Sequence, residues 1–224
     1  MQPYLFPYIG YFQLIHVADT FLIYDDVNYI KQGWINRNRI LMNGAPMFFT
    51  LSLKGASSFK KICETEVGDN RDKLLKTIDQ AYKKAPFFDS VFPMFKDVFS
   101  QNEKNLSRFV IYSILAVVRY LGIETRIEIS SGKGLFSEIS NWERVLAICG
   151  AYQATDYINA SGGKELYSRE AFAGQGIDLH FLKTEKIEYP HFAPAFVPNL
   201  SIIDVLMHNP LATVKEYLRR FNLE

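Results

Sequence analysis

Residues 2–39 read QPYLFPYIGYFQLIHVADTFLIYDDVNYIKQGWINRNR. The aromatic, proline and glycine punctuation from Gln2 to Gly10 predicts an extended segment that turns into a helix. Tyr11 to Val17 carries apolar Phe12, Leu14 and Ile15 and suits a short helix. Thr20 to Tyr24 is β-branched and aromatic, and it stops at Asp25-Asp26 as a buried strand does. A strand-like start, a turn, a helix and a strand make half of a βαβ unit. Polarity then rises sharply through Asp25, Asp26, Tyr29, Lys31 and Trp34 to the run Asn36-Arg37-Asn38-Arg39. A core wants apolar periodicity, not this mixture, so a site for chemistry is expected here.

Outward from this stretch, Arg37 to Met42 and Pro46 to Leu53 flank Asn43-Gly44, a strong hairpin signal. Lys54 to Lys61 reads as a polar loop. Helices are expected over Asp72 to Lys83, Ser90 to Phe99 and Leu106 to Leu121, the last closed by Gly122. Strands are expected at Thr125 to Ile129, Asp156 to Ile158 and Asp178 to Leu182. Between them come a helix from Trp142 to Tyr152, capped by Ser140-Asn141 with Glu143 early, and a short one from Ser168 to Ala173. Helices at Ser201 to Met207 and Thr213 to Phe221 complete the tail. The alternation predicts an α/β fold: a Rossmann-like three-layer sandwich with a largely parallel sheet, a β-hairpin insertion and a helical middle segment at about 70–121. One domain over 1–224 is the simplest account.

Bulk properties narrow the function classes. The 224 residues are 48% hydrophobic, 15% aromatic and 22% charged, the profile of a packed globule. A formal charge of +1 gives no electrostatic case for nucleic acid or an anionic membrane. Phe109 to Leu121 is too short to span a bilayer and is flanked by Arg108 and Arg119, so no integral membrane segment is expected, and the protein is expected in the cytoplasm. Cys63 and Cys149 are isolated and read as reduced packing thiols. The four histidines are scattered and form no zinc spacing, so no metal is assigned and the cofactor stays open.

In parallel α/β folds, ligands sit at the carboxyl ends of strands. Four polar clusters fall there: Pro7 to Tyr11, Asp25 to Arg39, Ser130 to Gly134 and Asn159 to Gly163. In the first, Gly10 would let backbone approach a ligand, with Tyr8 and Tyr11 in the places where nucleotidylyltransferases set two histidines. The alternative is an aromatic turn packing the sheet edge. Asp25 and Asp26 diverge, so one of them would enter a site to bind an amine, orient a base or hold Mg2+, unless both simply terminate the strand. Lys31, Arg37 and Arg39 form the densest positive patch, suited to phosphate or carboxylate, although such patches are often solvated surface. Trp34 could stack a ring or belong to the core. Ser130, Ser131 and Lys133 could cradle a phosphate without P-loop spacing, and Asn159, Gly162 and Gly163 allow close approach. Asp204, amid apolar neighbours, is either exposed or buried, with Arg37 or Lys31 the expected partner in the second case.

QPYLFPYIGYFQLI, YDDVNYIKQGWINRNRI, YINASGGKELY and LSIIDVLM together resemble the WbqC-like family of bacterial proteins, from the first residues to about Asn209. Members commonly carry a few apolar residues before the opening Gln-Pro, so a shortened first strand and an upstream start are expectations. The resemblance implies a place in O-antigen or other surface-polysaccharide gene clusters, where some members are labelled glycine or amino-acid transferases. It points to a transferase that moves an acyl or aminoacyl group from an activated donor to an amino sugar or nucleotide sugar. In that scheme Asp26, Tyr11, Lys31 and Arg37 are the catalytic candidates. Gln2, Tyr8, Gly10, Asp25, Trp34, Asn36, Ser130, Ser131, Lys133, Asn159, Gly162, Gly163 and Asp204 are the binding candidates. A nucleotidylyltransferase or adenylate-forming ligase, and a non-catalytic nucleotide-sugar-binding or scaffold protein, are the alternatives.

Overall fold

A computed structural model describes residues 1–139 and 141–224. The Ser140 half of the expected cap lies outside the described residues. The chain runs α1 (Ile9–Val17), β1 (Thr20–Ile23), β2 (Arg37–Met42), β3 (Ala45–Thr50), β4 (Leu53–Lys54) and β5 (Glu66–Val67). Three helices follow, α2 (Arg71–Tyr82), α3 (Phe88–Ser100) and α4 (Leu106–Leu121). The last third holds β6 (Arg126–Ile129), α5 (Asn141–Ala151), β7 (Asp156–Ala160), α6 (Arg169–Ala173), β8 (Asp178–Thr184), α7 (Ile202–His208), α8 (Leu211–Tyr217) and β9 (Phe221–Leu223).

The fold is mixed α/β, with small sheets instead of the single broad sheet expected. β1 pairs in parallel with β6, and β7 in parallel with β8, which takes β9 antiparallel on its other edge. β2 and β3 form the hairpin, in register from Arg37↔Thr50 to Met42↔Ala45. Its turn residues Asn43 and Gly44 both have positive φ, 52° and 76°, as a tight hairpin turn demands. Three expectations are corrected. β3 ends at Thr50: Leu51 still gives its N–H to the Asn36 carbonyl, but its own carbonyl accepts from the Asn36 side-chain amide and not from a backbone N–H. The loop after it contributes the short β4–β5 ladder. The tail stops being helical after Tyr217, since Phe221–Leu223 extends along β8 as a strand.

The core joins both halves. Phe6, Phe12 and Ile15 from the opening segment are fully buried with Phe95, Phe109 and Ile114 of the middle helices. Phe6 stands edge-on to Phe95 at 5.1 Å, a favoured aromatic geometry. α1 packs against β1 and also against β7 and β8, so one helix spans the two parallel pairs. Buried Gln13 reinforces it by donating to the carbonyls of Tyr217 (2.7 Å) and Arg220 (3.0 Å). Among the described residues no helix is long and apolar enough to cross a membrane.

Candidate functional site

β1 delivers Tyr24, Asp25 and Asp26 beside the carboxyl end of β6, and the two adjacent carboxylates take different partners. Asp25 is buried and accepts from Ser107 Oγ on α4 at 2.5 Å, from Ser131 Oγ at 2.9 Å and from the Ser131 N–H at 3.0 Å. Its own N–H donates to Ser130 Oγ. The single Ser130 hydroxyl proton goes to Asp26, at 2.6 Å, in preference to Asp25, at 3.2 Å.

Asp26 also takes Arg144 Nη2 at 2.6 Å, a pair buried on both sides. Arg144 Nε and Nη2 donate as well to the Leu135 carbonyl, and its guanidinium lies 4.6 Å from the Tyr24 ring centroid. Burial pushes the Asp26 carboxyl up. The hydrogen bonds from Arg144 and Ser130, with the guanidinium charge, outweigh it and hold the group below its ordinary 3.8. Desolvation pulls Arg144 down, and the same ion pair more than restores it. Asp26 is therefore an ionised carboxylate that fixes Arg144, not a poised base.

Beside this knot opens a cleft of about 1700 Å³. Tyr8, Tyr24, Trp34, Arg144, Asn159 and Gly163 line it around the strand ends. Burial raises the Tyr8 and Tyr24 phenols, so both stay neutral and available to donate. Among the described residues, Nε and Nη2 of Arg144 are committed to Leu135 and Asp26, which leaves Nη1, on the side of the Tyr24 hydroxyl, for an anion. A cation, two phenols and a half-exposed indole can hold a ligand with a negative group and a ring.

The cleft gathers Gln2, Tyr8, Trp34, Asn159, Gly162 and Gly163, with Asp25, Asp26 and Ser130 behind it. Tyr11 borders it from the core, where its hydroxyl donates to the Gln2 carbonyl at 2.9 Å. The other expected residues do different work. Lys31 is exposed and outside the cleft. Arg37 gives Nε to the Gly33 carbonyl and a terminal nitrogen to that of Gln32, lying over the Phe48 ring, and so holds a turn. Asn36 accepts from the Tyr29 hydroxyl and donates to the Leu51 carbonyl. Ser131 serves Asp25, and Lys133 pairs with Glu128 at 2.7 Å. A Cβ on Gly10 would sit 2.4 Å from the Tyr8 ring and 2.6 Å from Thr184 Oγ1, so this glycine makes room for protein and not for a ligand. Asp204 is fully buried, and its partners are the Tyr82 and Tyr189 hydroxyls, each at 2.9 Å. Arg37 and Lys31 do not reach it, because Arg37 is tied to its own turn and Lys31 faces solvent.

Arg144 and Tyr24 were not among the sequence candidates. A signal existed: Arg144 sits four residues before Ile148, on the buried stripe of an amphipathic helix. An arginine on such a stripe needs an acid, and Asp26, expected as a catalytic candidate, is the one that meets it. Asp156, Asp178 and His180 place ligand atoms within 4.8 Å of one another, but at the amino ends of β7 and β8, with both acids exposed.

A model of the WbqC-like protein family matches residues 2–216. The chain belongs to the WbqC-like protein family. This WbqC-like protein is also similar to the Mycobacterium tuberculosis protein named Uncharacterized protein Rv1507c, with 28% identity covering 98% of this chain and 96% of that protein. No solved structure matches it significantly.

Proposed function

We propose that this WbqC-like protein transfers an acyl or aminoacyl group to the amine of an amino sugar or nucleotide-linked sugar destined for surface polysaccharide. The observation that carries the reading is the cleft whose lining Arg144, locked by Asp26, shares with Tyr8, Tyr24 and Trp34. Its setting is one cytoplasmic domain over 1–224, with a Rossmann-like sandwich whose strand ends converge on that cleft.

Arg144 would hold the phosphate or carboxylate of a substrate and Trp34 a ring, while Tyr8 and Tyr24 donate to the carbonyl oxygen as it gains charge. The substrate amine, in its neutral form, forms the C–N bond as the bond to the leaving group breaks. The proton it sheds ends on the departing group, so the step needs no free carboxylate. Asp26 moves from base to positioning residue, and Lys31, Arg37 and Tyr11 leave the catalytic set.

The test is transfer from activated amino acids to amino-sugar nucleotides, with and without Arg144→Lys. Formation of an amide product that falls at least ~100-fold in the variant supports the reading. An absence of product across donors and acceptors, together with an absence of binding, ends it. One observation favours the non-catalytic reading: Asp25, Asp26 and Ser130 are all hydrogen-bonded to one another or to Arg144 and Ser131. Tight nucleotide-sugar binding without turnover would select it. Pyrophosphate release from ATP with a candidate acid would select the adenylating alternative instead.

A further inference from the structure

The near-zero net charge hides a segregation along the chain. From Val27 to Cys63 there are six basic residues, Lys31, Arg37, Arg39, Lys54, Lys60 and Lys61, and no Asp or Glu. The remainder therefore carries 19 basic against 24 acidic residues, a formal balance of −5. The same segment supplies Ile30, Trp34, Met47, Phe48 and Phe59, five of the nine large hydrophobic side chains that stand exposed among the described residues. A surface that is both apolar and of one charge sign fits a partner that answers both properties.

The fold gathers these residues side by side. The loop 55–61 lies against the loop 28–34: the Tyr29 N–H donates to the Lys60 carbonyl at 2.8 Å, the Ile62 N–H donates to the Val27 carbonyl at 2.9 Å, and Asn28 and Lys61 form an antiparallel bridge. At the far end of the loop 28–34, Trp34 meets Phe48 of β3 with ring centroids 6.0 Å apart. Arg39 stands opposite Phe48 in the hairpin register and Arg37 lies two residues along, so both cations share one face of the hairpin with that ring. Arg37 and Arg39 donate to carbonyls, which leaves their charge unanswered. Of the six cations only Lys54 forms an ion pair among the described residues, with Asp69 at the margin of the segment. Phe59 is 92% exposed with exposed Lys60 beside it, and Ile30 with Lys31 repeats this pair on the neighbouring loop.

We propose that this face binds the surface of an anionic lipid bilayer. Ile30 and Phe59 enter the boundary between headgroups and acyl chains, while Lys31 and Lys60, with Arg37 and Arg39 behind them, meet lipid phosphates. A lipid surface fits these residues better than single-stranded nucleic acid does. Bases stack on free aromatic faces, whereas the Arg37 guanidinium covers Phe48 at 4.5 Å and Ile30 has no ring to offer. Asn28 and Trp34 also line the cleft, so docking brings one wall of the cleft to the bilayer. The proposal is independent of the transferase reading, since vesicle binding is measured without turnover.

The experiment sediments the whole chain with vesicles of phosphatidylcholine alone or with about one-third phosphatidylglycerol. Binding is expected to be at least ~10-fold tighter to the anionic vesicles and to weaken as salt rises. Lys31→Gln combined with Lys60→Gln should weaken it by about 25-fold, since each cation near an anionic leaflet contributes roughly fivefold. Phe59→Ser should weaken it by about fivefold and leave the melting temperature unchanged, because this side chain is almost wholly exposed. Lys96→Gln combined with Lys104→Gln removes the same charge from exposed positions outside the segment and should leave binding intact. Failure to bind the anionic vesicles would overturn the proposal. Equal weakening by the two lysine pairs would also overturn it, by reducing the effect to net charge, and binding unchanged in Phe59→Ser would overturn the inserted loop. If a single-stranded oligonucleotide binds more tightly than the vesicles and displaces them, the face belongs to nucleic acid and the lipid proposal falls.

Discussion

Asp26 and Asp204 are both buried carboxylates, yet they are neutralised in opposite ways. Asp26 meets a guanidinium at the wall of a cleft. Asp204 is fully enclosed and meets two phenols, with His208 Nδ1 at 3.6 Å from its carboxylate and closer, at 2.9 Å, to its backbone carbonyl. The phenols are drawn from distant segments, Tyr82 from α2 and Tyr189 from the irregular stretch before α7, and Tyr82 also accepts from the Leu41 N–H of β2. Burial, then the Asp204 charge, pushes both phenols up, so they remain donors. The difference separates two uses of the same group. A carboxylate ringed by neutral donors from several elements closes a core. One that fixes a cation at a cleft presents that cation to a ligand.

The sharpest way to break this contrast is to remove each acid. Asp26→Ala leaves Arg144 buried without its partner and should cost about 4 kcal/mol in urea denaturation. Adding Arg144→Met should recover most of that loss while abolishing anion binding, which would show that the pair serves the cleft and not the fold. The acid limb carries a sign. The Asp26 carboxyl titrates lower in the folded chain than its ordinary 3.8, so its contribution is full above about 4 and fades as pH falls through the folded value. Asp204→Ala strands two buried hydroxyls and should cost about 3 kcal/mol. Here no single arginine change restores stability, and ligand affinity of the folded fraction stays the same. Recovery of Asp204→Ala by a cleft substitution would erase the distinction.

A smaller effect belongs to the Met1 amine of the 224-residue chain prepared as such. Between about 5 and 8 the unfolded chain binds a proton at this amine that the folded chain does not, so stability rises with pH across that window. The expected gain from pH 6 to pH 8 is about 2 kcal/mol, read from denaturation midpoints. Acetylating the amine should flatten the slope, and an unchanged slope would mean that the nitrogen is solvated.

How much of this was legible depends on the range of the interaction. The Asn43-Gly44 turn and the stop of α4 at Gly122 are local, and both stand where the residues predicted. β1 ends at Ile23, one residue before the expected edge, because Tyr24 turns to Met1 and Arg144. Ser130-Ser131-Gly132 looked like a phosphate cradle because serine and glycine in a loop after a strand suit an anion. Its hydroxyls instead meet the protein's own carboxylates, from more than a hundred residues away. Asp204 failed for the same reason, since its partners come from two distant segments and are not cations. The single sheet expected is divided: β1 pairs with β6 and β7 with β8, and β1 and β7 do not pair with each other.

The mildest prediction concerns Trp34. Its ring is 42% exposed at the cleft, 6.0 Å from Phe48, with the Arg39 guanidinium also 6.0 Å away. An indole so exposed contributes little to the core, so Trp34→Ala should change folding stability by no more than about 0.5 kcal/mol. If it stacks a ligand ring, binding of a nucleotide-linked amino sugar should weaken by about fivefold, roughly 1 kcal/mol. Calorimetric titration and chemical denaturation of the same preparation separate the two. A loss of stability with affinity intact would return Trp34 to the packing of the β2–β3 hairpin, and the cleft would then hold its ligand through Arg144 and the tyrosines alone.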